Sequence, residues 1–201
     1  MVSALIVTHY YRERESNLHT IVDRLHNAVD MIVVASNNPP PPVWLPDSVK
    51  WVGSTVNLGT RLRVWTALAL GVDEALLVDD DVAPSVACVE RMREWFAPGA
   101  VVGLWGAQGL LNGRIALASR AAMLRWSRHV ADLPTPWCDD VLLGAVGSPT
   151  HVIGALPGEV EHLYDSGRSL EVERAAYTQD RVDTILHLQR VGLLSESVVA
   201  A

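Results

Sequence analysis

Three consecutive aspartates, Asp79, Asp80 and Asp81, are the residues whose type and position best suit metal chemistry. Carboxylate oxygens are the ligands that hard divalent cations prefer, and a cation bound there can neutralise a diphosphate leaving group. Successive side chains of an extended chain point to opposite sides, so Asp79 and Asp81 project together. The run therefore predicts a shared metal and nucleotide site. The alternative is an acidic turn that caps the next helix.

The elements that position these aspartates follow from the hydrophobic pattern of the first half of the chain. Short apolar runs predict buried strands at residues 3–8, 31–35 and 75–78, with a shorter strand at 50–52. Amphipathic spacing predicts helices at residues 17–29, 58–70 and 84–95. This alternation is typical of an α/β fold with a Rossmann-like, mostly parallel sheet flanked by helices. Ligands bind at the carboxyl ends of such strands, which is where the triplet lies.

The second half of the chain is less regular. Strands are predicted at residues 101–105 and 115–118, and helices at residues 120–129, 139–146 and 169–191. The sequence contains no internal repeat and no low-complexity linker. Residues 1–201 are therefore predicted to form one domain, with a nucleotide-binding half at about residues 1–98 and a catalytic, acceptor-binding half at about residues 99–201.

Composition and charge exclude several classes of protein. The chain is 49% hydrophobic with a formal net charge of −7, which argues against disorder and against a general nucleic-acid surface. No apolar run is long enough for a membrane span, and the N-terminus lacks a signal-peptide pattern. Cys88 and Cys138 form no metal-spaced pair. We therefore expect a soluble cytoplasmic protein with no membrane partner.

Two other classes of site that place an aspartate after a strand are excluded, because residues that they require are absent. A P-loop needs the pattern G-x-x-x-x-G-K-[ST], and the nearest stretch, residues 53–60, has the wrong spacing and no lysine. A receiver or phosphatase-like site requires a lysine late in the chain, whereas Lys50 is the only lysine. The other Lys/Arg positions are all arginine, which suits bidentate recognition of phosphate.

The triplet and its surroundings resemble the exostosin-like glycosyltransferases, retaining GT-A enzymes that transfer N-acetylhexosamine from UDP-sugars. The resemblance covers most of the chain. The six matching segments are Val7-Thr8-His9-Tyr10-Tyr11-Arg12, Ile32-Val33-Val34 with Asn37-Asn38, Asn57 with Arg61, Asp79-Asp80-Asp81, Cys138-Asp139-Asp140-Val141, and Asp165-Ser166-Gly167 with Arg174 and Arg181. Each segment is weak by itself, but their common order and compatible spacing make a specific signal.

The resemblance implies a nucleotide pocket at the ends of the first strands. The residues around the uracil and the rest of the nucleotide would be Thr8, Arg12, Asn37, Asn57 and Arg61. Asn57 and Arg61 are four residues apart, which would place them on one helix face. Asp79 and Asp80 would contact ribose or sugar hydroxyls. A surface role for Arg12 and Arg61 and a helix-capping role for Asn57 remain open.

The resemblance also implies the cofactor and the catalytic groups. Asp81, with Asp79, would ligate Mn²⁺ or Mg²⁺ beneath the diphosphate of a UDP-sugar. The catalytic and phosphate-binding residues would be Asp139, Asp140, Arg174 and Arg181. Asp140 would face the anomeric carbon, and Arg181 would bind the departing β-phosphate, in a hexosyl or N-acetylhexosaminyl transfer with retention. Helix capping by Asp139 and Asp140 and an ion pair of Arg174 on its own helix remain open.

Departures from the family pattern leave the base and the acceptor open. Thr8 stands where the family has glutamine and Tyr11 where it has asparagine, and residues 99–120 form a much shorter segment. The acceptor can be a saccharide, a protein, a small molecule or a modified DNA base, and no oligomeric state is predicted. His151 and His162 are candidate additional metal ligands.

Two other functions remain open. One is a nucleotidyltransferase, although the glycine-rich basic loop usual in that class is absent from the turn THYYRERE. The other is a non-catalytic module that binds a nucleotide sugar without turning it over.

Overall fold

Strands and helices alternate in the computed structural model, which describes residues 1–9, 11–37, 40–107, 110–135, 138–164, 174–195 and 197. The strands are β1 (Ala4–His9), β2 (Ile32–Asn37), β3 (Val49–Ser54), β4 (Glu74–Asp79), β5 (Val82–Pro84), β6 (Val101–Gly103), β7 (Gly106–Ala107), β8 (Leu110–Leu111), β9 (Ile115–Ser119), β10 (Thr150–Val152) and β11 (Val160–His162). The helices are α1 (Glu15–Leu25), α2 (Arg61–Leu70), α3 (Val86–Glu94), α4 (Arg120–His129), α5 (Asp139–Val146) and α6 (Arg174–Arg190).

A 7-stranded sheet runs through the centre in the order β10-β6-β9-β4-β1-β2-β3. Neighbouring strands are parallel, except that β9 is antiparallel to both β4 and β6. Every residue of β1 and of β2 is buried, which explains why these strands are almost continuously apolar in sequence. The prediction of an α/β fold with a mostly parallel sheet flanked by helices is confirmed.

The sheet separates two hydrophobic clusters, and the alternation of side chains along β1 decides which residue enters which cluster. Ala4 and Ile6 pack with residues of α2, α4 and α5, among them Trp126. Leu5 and Val7 pack with residues of α1 and α3. Helices therefore cover both faces of the sheet, and the carboxyl ends of the parallel strands remain as the place where a ligand can bind.

Helix boundaries follow local capping signals. The Ser85 hydroxyl accepts a hydrogen bond from the Cys88 backbone N–H at 3.1 Å, so α3 begins later than predicted. Helix α2 ends at Gly71, whose φ of 72° lies in the left-handed region that favours glycine. It begins at Arg61, so Asn57 precedes the helix, and the prediction that these two residues share a helix face is wrong. Helices α4 and α5 begin and end as predicted.

Several short strands were not predicted, because strands of two or three residues carry no readable alternation. Strands β5 and β11 form an antiparallel ribbon, β7 and β8 form a hairpin, and β10 extends the sheet at its edge. The ribbon starts directly after Asp81. The Asp165-Ser166-Gly167 segment lies outside the described residues. Within the described ranges, no helix is long and apolar enough to cross a membrane.

Candidate active site

The aspartate triplet lies at the carboxyl edge of the parallel strands, as the sequence predicts. Asp79 is the last residue of β4 and pairs in register with Thr8 of β1. The Asp79 backbone N–H donates to the Arg114 carbonyl at 2.9 Å, so the residue before β9 borders the same edge. Asp80 and Asp81 form the turn into β5. The three aspartate side chains contact different partners.

Asp79 contacts Arg63 of helix α2. Arg63 Nη1 donates to Asp79 Oδ1 at 2.6 Å, and only 1% of the Arg63 side chain is exposed. Burial raises the pKa of Asp79 to about 7; Arg63 opposes this shift, and the charges of Asp81 and Asp80 add to it. The concentration of negative charge favours either a proton or a bound cation at this position.

Asp80 belongs to a buried polar network on the α1 side of the sheet. Its carboxylate accepts a hydrogen bond from Arg14 Nη1 at 2.7 Å and lies 3.1 Å from His9 Nδ1, with none of its side chain exposed. Asn17 Nδ2 donates to the Asp80 carbonyl at 2.8 Å and to the Tyr164 carbonyl at 2.7 Å. Both the side chain and the backbone of Asp80 are therefore fixed. The predicted contact between Asp80 and a donor sugar stays a prediction.

Asp81 lies near two arginines, Arg14 and Arg114. Its Oδ2 is 4.0 Å from Arg14 Nη1 and 3.9 Å from Arg114 Nη2. Both distances are longer than those of close charge-assisted hydrogen bonds. The Asp81 carbonyl accepts a hydrogen bond from the Leu163 N–H at 2.8 Å, which joins the triplet to the residue after β11.

Asp140 of α5 contacts both Arg181 of α6 and the backbone of Gly113. Asp140 Oδ2 accepts hydrogen bonds from the Gly113 N–H at 3.0 Å and from Arg181 Nη1 at 3.1 Å. Arg181 Nη2 also donates to a carbonyl of β8 at 2.6 Å. Arg63 Nη2 donates to the Gly113 carbonyl at 2.6 Å, so Arg63 connects Asp79 with the Asp140 pair. The two predicted groups of site residues therefore lie side by side.

Position 113 requires glycine because two side chains approach its backbone closely. A Cβ there would lie 2.5 Å from Asp140 Cβ and 2.9 Å from Arg63 Nη2. Contacts that short would displace one of the two neighbours. The spacing between the triplet and Asp140 is therefore set by contact with the Gly113 backbone.

Asp139 is buried beside Asp140 at the start of α5. Its carboxylate accepts a hydrogen bond from the Thr60 hydroxyl, and its carbonyl accepts one from Trp126 Nε1 at 3.2 Å. Burial raises the pKa of Asp139 to about 7, with Arg63 opposing the shift and Asp140 adding to it. Asp139 thus joins α5 to the residue that precedes α2.

The predicted nucleotide-binding residues of the first two strands and the following turn have very different environments. Thr8 is fully buried. Asn37 is also buried, and its amide donates to the Gly59 carbonyl at 3.1 Å and accepts from the Leu58 N–H at 2.8 Å. Arg12, in contrast, has 80% of its side chain exposed and lies beside a glutamate of its own turn. Asn37 therefore orders the loop before α2, whereas Arg12 lies on the protein surface.

The remaining predicted residues lie near helices α2 and α6. Asn57 Oδ1 accepts a hydrogen bond from the Gly59 N–H at 2.9 Å within the loop, and Arg61 Nη2 donates to the Thr135 carbonyl at 2.7 Å. Arg174 starts α6, and its side chain lies outside the described part of the structure. The ligand contacts assigned to these residues by resemblance stay predictions.

Sequence reasoning missed Arg63, Arg14 and His9, which make the closest contacts with Asp79 and Asp80. For Arg63 a signal existed, because a charged residue between Leu62 and Val64 interrupts the apolar positions of a helix that packs on the sheet. For Arg14 no signal existed, since it stands in the charged run RERE.

The carboxylates at this edge fit a divalent cation that is shared with a diphosphate. Magnesium is commonly bound by one or two carboxylates together with substrate phosphates. Asp79 and Asp81 can supply that number of protein ligands, and the charge of Asp81 contributes to the raised pKa of Asp79. Among the described residues, no group of three or more acidic, histidine or cysteine side chains is arranged to bind a metal by itself. The donor set therefore suits a cation that binds together with a nucleotide.

The sheet order defines a Rossmann-like, mostly parallel α/β fold with an acidic edge. No protein-family model and no curated protein sequence matches the chain. The fold is similar to that of the galactosyltransferase LgtC, solved with donor and acceptor sugar analogs (TM-score 0.53, 10% identity, 89% of this chain and 95% of that chain covered). It is also similar to glucosyl-3-phosphoglycerate synthase from Mycobacterium tuberculosis, solved with Mn²⁺, UDP and phosphoglyceric acid (TM-score 0.56, 14% identity, 98% and 81% covered).

A third similar structure belongs to a different class of enzyme. It is 2-C-methyl-D-erythritol 4-phosphate cytidylyltransferase from Thermus thermophilus (TM-score 0.59, 13% identity, 88% of this chain and 100% of that chain covered). At these identities the likeness is one of fold. It confirms the predicted GT-A fold, and membership of the exostosin-like family stays a prediction.

Proposed function

We propose that the protein is a metal-dependent glycosyltransferase that moves a sugar from a UDP-sugar donor to an acceptor. The observation that carries this proposal is the junction at Gly113, where Arg63 links Asp79 of the triplet to Asp140. A sugar nucleotide has a diphosphate, whose negative charge needs a cation. Its anomeric carbon is bonded to an oxygen of that diphosphate and becomes positively charged as this carbon–oxygen bond breaks. Neighbouring carboxylates from β4 and α5 match those two needs.

The triplet would bind the diphosphate end of the donor. A cation shared by Asp79, Asp81 and the phosphates would stabilise the negative charge that develops on the UDP leaving group. Asp80 is fully buried in a network with His9 and Arg14, so the contact with ribose or sugar hydroxyls that the resemblance implies would require donor binding to expose its carboxylate. Because that network fixes Asp80, it would also fix the direction of its two neighbours.

The nucleoside would lie at the ends of β1 and β2. The residues proposed to surround it are Thr8, Arg12, Asn37, Asn57 and Arg61. Asn37 supports the proposal indirectly, because its amide orders the backbone of residues 58 and 59 beside this edge. The exposed guanidinium of Arg12 can reach a ligand without breaking a buried contact.

Asp140 would act at the anomeric carbon. Its Oδ2 is engaged by Gly113 and Arg181, whereas its Oδ1 has no hydrogen-bond partner among the described residues. A carboxylate oxygen without a hydrogen-bond partner can stabilise the positive charge that develops on the anomeric carbon as its bond to UDP breaks, or it can attack that carbon directly. Arg181 would bind the departing β-phosphate, with Arg174 as a second candidate. The family resemblance implies that configuration is retained.

The second candidate function is nucleotidyl transfer. It is favoured by one observation, the full coverage of the cytidylyltransferase chain at a TM-score of 0.59. The turn after β1 argues against it, because residues 8–15 contain no glycine and therefore cannot form the glycine-rich loop usual in that class.

A donor panel tests the proposal against both rivals. We expect UDP release from at least one of UDP-glucose, UDP-galactose and their N-acetylated forms when Mn²⁺ or Mg²⁺ is present, and none with EDTA. Pyrophosphate release from CTP or UTP with sugar phosphates is measured in parallel. Pyrophosphate without UDP would favour nucleotidyl transfer, and calorimetric UDP binding without any turnover would favour a binding module.

A further inference from the structure

Trp105 and His162 form an aromatic pair beside the triplet that the reaction as described does not use. Their ring centroids are 6.0 Å apart and their planes are inclined by 30°, which is a stacked arrangement. His162 is exposed and Trp105 is half-buried. The pair joins two segments that lie far apart in the sequence, the chain after β6 and the last residue of β11.

Both members of the pair are connected to the catalytic edge through the backbone. The Trp105 carbonyl accepts a hydrogen bond at 2.9 Å from the N–H of Asn112, which stands two residues before Arg114 in the sequence. Arg114 Nη2 lies 3.9 Å from Asp81 Oδ2. On the other side, His162 precedes Leu163, whose N–H donates to the Asp81 carbonyl. His162 pairs in register with Val82, the residue after Asp81. Trp105 follows the carboxyl end of β6, which runs parallel to β4 and lies on the far side of it from β1 and β2. The pair is therefore at the same edge of the sheet as the triplet, on the side away from the proposed nucleoside site.

The chemistry of this border suits a sugar ring. A pyranose has an apolar face of C–H groups that packs on an aromatic face, and hydroxyls that reach charged side chains at the rim. The stacked rings supply the aromatic surface, and Arg114, which contacts Asp81 at the same edge of the sheet, can supply hydrogen-bond donors. The net charge of −7 does not suit a polyanionic acceptor such as DNA.

We propose that Trp105 and His162 form the acceptor-binding platform and that the acceptor presents a saccharide ring to it. This inference rests on the proposed function, because it assigns the acceptor side of the same reaction. A second tryptophan–histidine pair provides a matched control. The ring centroids of Trp95 and His151 are 5.2 Å apart, and His151 belongs to the edge strand β10, three strands away from β4.

The experiment compares Trp105→Leu, which removes the aromatic face but keeps an apolar side chain, with Trp105→Phe and with Trp95→Leu. The probes are the methyl β-glycosides of glucose, galactose and N-acetylglucosamine. Their binding is measured by saturation-transfer NMR, which requires no turnover. Calorimetry with UDP and Mn²⁺ and the slow hydrolysis of the UDP-sugar measure the donor side independently.

We expect at least one glycoside to bind to the wild type and to Trp95→Leu, and Trp105→Leu to weaken that binding by about tenfold. Trp105→Phe should retain most of it, and UDP affinity should be equal in all variants. The proposal is overturned if no glycoside binds, if Trp105→Leu binds as well as the wild type, or if Trp105→Leu loses UDP affinity. Wild-type protein that binds glycosides but neither binds UDP nor releases it would contradict the proposed function instead.

Discussion

Asp140→Asn is expected to lower kcat by at least about two orders of magnitude, with little change in UDP affinity or thermal stability. Asparagine has the size of aspartate and keeps an oxygen that can accept from the Gly113 N–H and from Arg181. It lacks the negative charge that stabilises the anomeric centre. The measurements are UDP release under saturating donor, UDP calorimetry and a circular dichroism melt.

The control for this variant is Asp132→Asn, which removes one carboxylate charge from an exposed position in the turn after α4. We expect that variant to retain wild-type kcat. If Asp140→Asn also retained more than about a third of the wild-type kcat, Asp140 could not supply charge to the transition state.

Arg14→Met is expected to reduce the free energy of unfolding by about 3–5 kcal/mol. The Arg14 side chain is 5% exposed and the Asp80 side chain is fully buried, so the variant leaves a carboxylate inside the protein without its closest cation. His9 at 3.1 Å can compensate only when it is protonated. Urea denaturation followed by tryptophan fluorescence measures the loss.

A double-mutant cycle separates this buried pair from general damage. Asp80→Asn removes the charge that Arg14 neutralises, so Arg14→Met combined with Asp80→Asn should destabilise by less than the sum of the single variants. Arg128→Met, at an exposed position of α4, should change stability by no more than about 0.5 kcal/mol. Strict additivity in the cycle, or a loss for Arg14→Met no larger than for Arg128→Met, would contradict the assignment.

The parts of the fold that the sequence predicted are those specified by local pattern. β1 and β2 are buried on both faces and read as uninterrupted apolar runs, and α4 has the boundaries that its sequence predicted. The ribbon of β5 and β11 depends instead on a pairing between residues about eighty positions apart, and three-residue strands carry no periodic signal. Helix α2 began later than predicted because Asn37 orders the preceding loop, which is a tertiary effect.

The candidate site also contains residues that could be predicted from the sequence and residues that could not. Asp79 and Asp81 were predictable because a carboxylate directly after a buried strand must lie at the ligand-binding edge of the sheet. Of the partners of the triplet, Arg63 could have been predicted from its place among apolar helix positions, but Arg14 could not. Arg14 lies in a run of charges that resembles solvent-exposed sequence, and only the turn of the chain after β1 brings it against Asp80. Gly113 was not singled out, because its function arises from two side chains that converge on it from α2 and α5.

The measurement that tests the central claim most directly is calorimetry of UDP binding with and without Mn²⁺, for the wild type and for Asp81→Asn. Asparagine preserves the shape of Asp81 and its backbone contact with Leu163, but it removes the charge that would ligate the cation. We predict that Mn²⁺ strengthens UDP binding to the wild type by about two orders of magnitude and that Asp81→Asn loses this gain. Equal UDP affinity with and without Mn²⁺, unchanged in Asp81→Asn, would contradict a metal and diphosphate site at the triplet.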